Sequence, residues 1–555
     1  MKRAWWKESV VYQIYPRSFK DTTGDGLGDL YGIIEKLDYI TSLNVDVVWL
    51  CPIYESPNND NGYDISDYRK ISERFGGNEA FDLLLEKMKA KGLKLVMDLV
   101  ANHTSEQHEW FRKAKSSRDN PYRDYYHWKS PKNGSVPNNW QSIFGGTVWE
   151  YNQATEDYYL HLFTKEQPDL NWENPKVRRE IYDIIKFWAD KGIDGFRMDV
   201  ISLISKQMDF PDTRFNNFKD TIVNYYANGP KIHRYLREMN EKVLSKYDLM
   251  TVGEGPGIDL DNGLDYVHED RDELNMVFHF DHMFIDAGPG GKYDILDYDL
   301  VDFKKVFSKW DNLLKDGGWG SIFLGNHDFS RMVSRFGNDT VYHNESAKAL
   351  AMLILTLRGT VYIYQGDEIG MTNVAYPSID DYDDIETLGA WREAETAGHH
   401  MDDFLLKVHS QSRDNARTPM QWDALQNAGF TENEPWLKIN PNYKTINVEN
   451  SNRNPDSILN FYRGMVTFRK ENIVLVYGDY ECLDEDHKQI FAYRRFDDNN
   501  EFLIVHNMGE TSINWDHNLN IDNYKLLKSN LESSIADLSF RAWESKLFKK
   551  KDQTI

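Results

Sequence analysis

Gly195-Phe196-Arg197-Met198-Asp199-Val200 is a short apolar run that closes on an acid. Arg197 and Asp199 stand two apart, so on a strand they share one face. The same form recurs on both sides. Leu93–Val100 (LKLVMDLV) carries Asp98, Leu249–Gly253 (LMTVG) runs into Glu254, and Ser321–Gly325 (SIFLG) runs into Asn326-His327-Asp328. Val45–Leu50 (VDVVWL) and Thr360–Tyr364 (TVYIY) are equally apolar and β-branched. Continuous apolar runs of this length predict buried parallel strands. Helical stretches such as Asn78–Lys91 and Lys176–Lys191 separate them, which is the alternation of βα units. Acids at the ends of four strands predict a closed (β/α)₈ barrel, an α/β fold whose rim gathers side chains from many strands. An open doubly wound sheet gathers them near one switch point instead.

Outward from these strands the rhythm breaks in three places. Residues 104–174 are rich in Trp, Tyr, Asn, Gly and Pro and too long for a simple loop, so a small domain is expected there, inserted after the third strand. Residues 366–456 form a second irregular stretch, expected over the barrel mouth, and Ser457–Lys470 reads as the last barrel helix. From Val474, alternating segments such as Ile490–Arg495 and Glu501–Val505 predict a C-terminal antiparallel β domain. The expected division is a barrel over 1–103 and 175–473, an insertion over 104–174, and a β-sandwich over 474–555, with Lys549–Lys551 as a solvated tail.

Composition bounds the partners. A net charge of −24 over 555 residues argues against nucleic acid, whose phosphates need a basic surface, and against anionic membranes. The 16 Trp and 32 Tyr suit aromatic packing and stacking on sugar rings alike. Two cysteines, Cys51 and Cys482, exclude a disulfide framework and point to a reducing compartment. Lys2-Arg3 has no apolar core after it, and no apolar run approaches the roughly 18 residues of a membrane span. A cytoplasmic monomer acting on a small neutral substrate is the expectation.

Glycosidic cleavage with retention needs two carboxyls flanking the anomeric carbon. Arg197 beside Asp199 keeps that carboxylate ionised, as a nucleophile requires. Glu254, at the next strand end, is a candidate general acid. Alone, the Arg–Asp pair reads as a structural ion pair, and His103 and His327 as core histidines. The order of the four segments together carries the reading.

In that order they resemble the α-amylase superfamily of glycoside hydrolases, most of all its oligo-1,6-glucosidase group. The resemblance runs from Val10-Val11-Tyr12-Gln13-Ile14-Tyr15-Pro16-Arg17-Ser18-Phe19 to near the C-terminus. It is strongest at Gln167-Pro168-Asp169-Leu170-Asn171-Trp172, Gly195–Val200, Ser334-Arg335-Phe336-Gly337-Asn338-Asp339, Tyr364-Gln365-Gly366 and Ser412-Arg413-Asp414-Asn415-Ala416-Arg417-Thr418-Pro419. It implies a retaining exo-acting α-glucosidase with no organic cofactor, in which Asp199 is the nucleophile, Glu254 the acid/base and Asp328 the carboxylate gripping sugar hydroxyls. It implies that His103, Arg197 and His327 bind the glucose at the cleavage subsite, with Tyr63 as an aromatic platform and Phe163 as a wall. It implies that Asp60 and Arg413 hold the non-reducing-end hydroxyls and close the pocket behind them.

Asp21-Thr22-Thr23-Gly24-Asp25-Gly26-Leu27-Gly28-Asp29 places oxygen donors at alternate positions. Asp21, Thr23, Asp25, the Leu27 carbonyl and Asp29 are candidate ligands for a structural calcium; the alternative is a Gly/Asp turn without an ion. The resembled group has asparagine where Thr23 stands. Two further departures, Gly255-Pro256 after Glu254 and Phe329-Ser330 after Asp328, lie near the expected leaving-group subsite. Sucrose isomerases of the group carry an arginine-rich loop where Ile295–Leu300 (ILDYDL) has none, which counts against isomerisation. Valine at position 200 accompanies α-1,6 preference in the group. Isomaltose and its oligomers are therefore the expected substrates, ahead of sucrose or α-1,4 links and of trehalose-6-phosphate. The intact acids count against a non-catalytic sugar-binding relative.

Overall fold

The computed structural model describes residues 2–215 and 217–551; Met1 and residues 552–555, at the outer ends of the expected domains, lie outside them. Eight parallel strands form one sheet: β1 (Val10–Ile14), β2 (Val47–Leu50), β3 (Lys94–Val100), β4 (Gly195–Asp199), β5 (Met250–Glu254), β6 (Met276–Phe278), β7 (Ser321–Ile322) and β8 (Thr360–Tyr364). Their order is β6-β5-β4-β3-β2-β1-β8-β7. The circle closes between its ends, where Ser321 Oγ donates to the Val277 carbonyl at 2.8 Å. The sequence reading had placed six of these strands. It did not place β1 or the three-residue β6, which is too short to show a period.

Nearly every strand residue is buried, as expected of strands covered on both faces. Helices supply the outer layer. Between β3 and β4, Pro175–Lys191 starts on an Asn174 side chain that accepts the Lys176 N–H, with proline in its first turn. It stops at Gly192, whose φ of 96° is left-handed; that pairing of proline start and glycine stop is built into the sequence. Its Val177, Ile181, Ile184, Ile185 and Trp188 are buried, a stripe at helical spacing laid against the strands.

Residues 104–174 hold a short helix, Glu109–Ala114, and a three-stranded antiparallel sheet of Trp128–Lys129, Asp157–Leu160 and Trp149–Asn152. Residues 366–456 are more regular than their sequence promised, with helices Ile385–Thr396 and Met401–Gln411. After the last barrel helix, Ile458–Glu471, a helical turn at Val474–Tyr477 leads into a five-stranded antiparallel sheet. Ser545–Lys550 is a paired strand of that sheet, so Lys549 and Lys550 are structural and not a tail. Arg495, on a strand of this sheet, fastens it to the barrel by donating to the Thr356 carbonyl, and it shares the Leu475 carbonyl of the connecting turn with Arg469 of the last barrel helix. Among the described residues no helix is long and apolar enough to cross a membrane.

Candidate active site

The strand-end acids converge on one guanidinium. Arg197 Nη1 lies 2.6 Å from Asp98 Oδ1 and 2.7 Å from Asp199 Oδ1, and its Nη2 lies 2.7 Å from Glu254 Oε2. Neighbouring strands β3, β4 and β5 thus bring three carboxyls to one cation: β4 and β5 end on Asp199 and Glu254, and Asp98 stands two residues before the end of β3, in register with Arg197. Exposure separates them: the Asp98 side chain has 0% and Arg197 3%, but Asp199 keeps 8%, Glu254 11% and Asp328 25%. Asp98 is therefore part of the wall, and the other three acids face the pocket.

Three carboxyls around one cation cannot all be ionised cheaply. Burial, together with Glu254 and Asp98, pushes Asp199 well above the ordinary carboxylate range, with Arg197 pulling the other way. Burial lifts Asp98 to about 6 against the same guanidinium. Asp98 and Asp199, held by the same guanidinium, titrate together and not as independent groups. Both donors to Glu254, Arg197 Nη2 and the Val200 N–H at 2.9 Å, go to Oε2, so a proton on this residue belongs on Oε1.

Asp328 has the opposite setting. Burial alone would raise it, but His327, Arg413 and Arg417 outweigh that and hold it well below the usual range. Arg417 Nη2 is 2.9 Å and Arg413 Nη1 3.3 Å from its Oδ1, and His327 Nε2 is 3.0 Å from Oδ2. Burial pushes the His327 imidazole down to about 3, so the ring is neutral. Gln13 Nε2 meets its Nδ1 at 2.9 Å, which leaves the proton on Nε2, facing Asp328 and the Tyr63 hydroxyl at 2.7 Å. The Tyr63 and His327 rings are parallel, 5.5 Å apart.

Burial likewise holds His103 down to about 4. Its Nε2 is 3.1 Å from the Tyr63 carbonyl and 3.2 Å from Gln167 Nε2. Gln167 also donates to Asp60 Oδ2 at 3.0 Å. The Phe163 ring stands 5.0 Å from His103. Asp60, Tyr63, His103, Phe163, Arg197, His327 and Arg413 therefore lie in one network with the three pocket acids. Asp60 and Arg413 approach only to 3.8 Å. The nearer partner of Arg413 is Asp384, at 2.6 Å from Nη2 and 2.8 Å from Nε.

Asp384 escaped the sequence reading, as did Lys292, Glu386 and Phe144. Asp384 is the N-cap of Ile385–Thr396, and Asp before a helical stretch was the only available signal. Lys292 bridges the Asp328 carbonyl, at 3.3 Å, and Glu386, at 2.7 Å. Arg413 sits over the Phe144 ring at 5.2 Å. The two departures after the acids also have physical settings. A Cβ on Gly255 would meet Ile258 side-chain atoms at 2.6 Å. Phe329 is buried and packs against Phe280 and Phe284.

The 21–29 loop stands apart from this network. Asp21 accepts the Thr23, Gly24 and Gly26 N–H groups and the Thr431 hydroxyl. Asp29 caps helix Leu30–Glu35 through the Gly32 N–H and accepts from Thr22. Asp25 accepts the Leu27 N–H. Gly26 has φ 84°, and a Cβ there would lie 2.2 Å from the Glu434 carbonyl, so the turn is fixed against 429–436 by the chain itself. Among the described residues no three His, Cys, Asp or Glu side chains are grouped to hold a metal ion. The donors fit calcium in kind, all being oxygen, while their present arrangement serves the turn.

A profile of the α-amylase catalytic domain matches residues 13–478. The chain is 52% identical to an oligo-1,6-glucosidase of Parageobacillus thermoglucosidasius over 561 aligned residues, 99% of each chain. It is 45% identical to a trehalose-6-phosphate hydrolase of Bacillus subtilis, covering 98% of each. An isomaltulose synthase of Klebsiella sp. superposes with a TM-score of 0.97 at 44% identity, covering 99% of this chain and all of that one.

Proposed function

The chain belongs to the α-amylase family of glycoside hydrolases, and from that premise we propose a retaining, exo-acting α-glucosidase that releases glucose from short α-1,6-linked glucosides. The observation that carries it is the Arg197 bridge. One guanidinium holds Asp199 Oδ1 and Glu254 Oε2, which suits the spacing of about 5–5.5 Å that retention uses and not the wider inverting gap. Asp199 Oδ2 is then the attacking oxygen. It forms the bond to the anomeric carbon as the glycosidic C–O bond breaks, and the proton passes from Glu254 Oε1 to the leaving oxygen. Glu254 afterwards takes a proton from the water that hydrolyses the glucosyl ester. Asp328, ionised among its cations, accepts sugar hydroxyls, with neutral His103 and His327 beside it.

Arg413, pinned by Asp384 and facing Asp60 and Phe144, forms the end wall that limits action to a terminal glucose. Fold likeness does not separate hydrolase from isomerase, since an isomaltulose synthase superposes so closely; the arginine-free Ile295–Leu300 segment favours hydrolysis. The mouth also disfavours a phosphorylated substrate: Lys292, Arg413 and Arg417 already hold Glu386, Asp384 and Asp328. A structural calcium on Asp21, Thr23, Asp25, Leu27 and Asp29, a monomeric state and a cytoplasmic location complete the proposal. Initial rates on isomaltose, maltose, sucrose and trehalose-6-phosphate, measured side by side, test it; isomaltose should lead in kcat/KM. Asp199→Asn should fold and lose several orders of magnitude in kcat, and near-normal turnover would sink the assignment.

A further inference from the structure

Val200 follows Asp199 with φ 37° and ψ 40°, a left-handed conformation that β-branched residues rarely adopt. Strain of this kind persists only where its surroundings over-determine it, and here they do. The Val200 side chain is buried not in the barrel core but in a separate cluster with Trp140, Trp149, Leu160 and Phe163 of the 104–174 segment. On its other side the chain is tied to the segment after Glu254, where Ser202 Oγ donates to the Pro256 carbonyl at 2.7 Å. Gly253 leaves room for this approach: a Cβ there would meet Ile201 Cγ2 at 2.8 Å. The product of the strained turn is a backbone N–H aimed at Glu254 Oε2, 2.9 Å away.

We infer that Val200 is a positioning residue for Glu254: its N–H, aimed by this clamped turn, stabilises the charge that Glu254 acquires as it protonates the leaving group. The inference rests on Glu254 being the acid/base. It gives residue 200 a role distinct from steric selection of the linkage, because an N–H to Oε2 strengthens as Oε1 gives up its proton. When the glycosidic bond breaks, the proton moves from Oε1 to the departing oxygen, and the negative charge left behind is shared between Arg197 and this N–H. Leaving groups that depart without a proton gain nothing from it.

The test replaces the Val200 N–H by an ester oxygen, incorporating the α-hydroxy acid analogue of valine, and keeps the side chain. Rates on aryl α-glucosides of graded leaving ability give a slope of log kcat/KM against leaving-group pKa. All these substrates place an aromatic ring in the same subsite, so steric selection does not move the slope. We expect the phenyl glucoside to fall about tenfold relative to the dinitrophenyl glucoside, as for loss of one hydrogen bond to a charged group. Turnover of the dinitrophenyl glucoside reports that the site is folded. Val200→Gly, which keeps the N–H but frees the clamp, should steepen the slope by less, and it decides the matter if the ester protein does not fold. Wild-type slopes in these variants overturn the inference. Glu254→Gln is the reference: if it too leaves the slope unchanged, the acid/base reading itself fails.

Discussion

Replacing Asp384 by asparagine separates charge from shape at the closed end of the pocket. Asp384 has 0% side-chain exposure and pairs with Arg413 at 2.6 Å. It also accepts the Glu386 and Thr387 N–H groups that begin helix Ile385–Thr396. Asparagine retains an oxygen for that cap and removes the charge. Losing one partner of a buried pair costs about 3–5 kcal/mol. Arg413 still has Asp328, Glu386 and Asp60 at 3.3, 3.5 and 3.8 Å, so the cost is expected at or just below the bottom of that range, about 2–3 kcal/mol. Burial would raise Asp384, but Arg413 and Arg417 hold it well below its ordinary value. A depressed carboxylate contributes stability that is complete above its unfolded pKa, about 3.9, and is lost as pH falls through the folded value. Calorimetry should therefore show a Tm deficit for Asp384→Asn that is constant from pH 8 to about 5 and shrinks below about 4. On isomaltose KM should rise more than kcat falls, because on the proposed reading Arg413 meets the terminal sugar in ground and transition states alike. A deficit unchanged at pH 3, or a wild-type KM, would refute the reasoning.

Asp98→Asn removes one of the charges that raise Asp199, so the acid limb of kcat/KM should move to lower pH; an upward shift would contradict the coupling of Asp98 and Asp199. Val200→Ala should narrow the isomaltose-to-maltose ratio, chiefly by raising maltose turnover, within about 1–3 kcal/mol, and an unchanged ratio would move the selectivity to the Gly255 and Phe329 segments. Chelation should lower Tm with a smaller effect on kcat/KM; identical melting with and without added calcium would leave the 21–29 loop as the turn its hydrogen bonds already make.

What the sequence showed and what it hid follow from the same physics. Asp98, Asp199, Glu254 and Asp328 were legible because each interrupts or closes an apolar strand, where a charge is costly without a purpose. Their strand positions also implied the barrel. Asp384 lacked that contrast: it precedes a helix in a polar stretch, where an aspartate is ordinary. Its role appears only when the fold lays Arg413 against it. Val200 was legible by identity and misleading by setting. On a strand end it looks like barrel packing, yet its side chain belongs to the inserted segment's cluster and its backbone to Glu254. No periodicity reports a positive φ at a valine. The two residues mark the two ways this pocket is completed from outside the barrel. Asp384 fixes Arg413, the cation proposed for the sugar's far end, and the inserted segment packs around Val200, whose N–H reaches the proposed acid/base. The barrel strands supply the acids and, in Arg197, the cation that Asp199 and Glu254 share, while Arg413 and Arg417, remote in sequence, keep Asp328 charged.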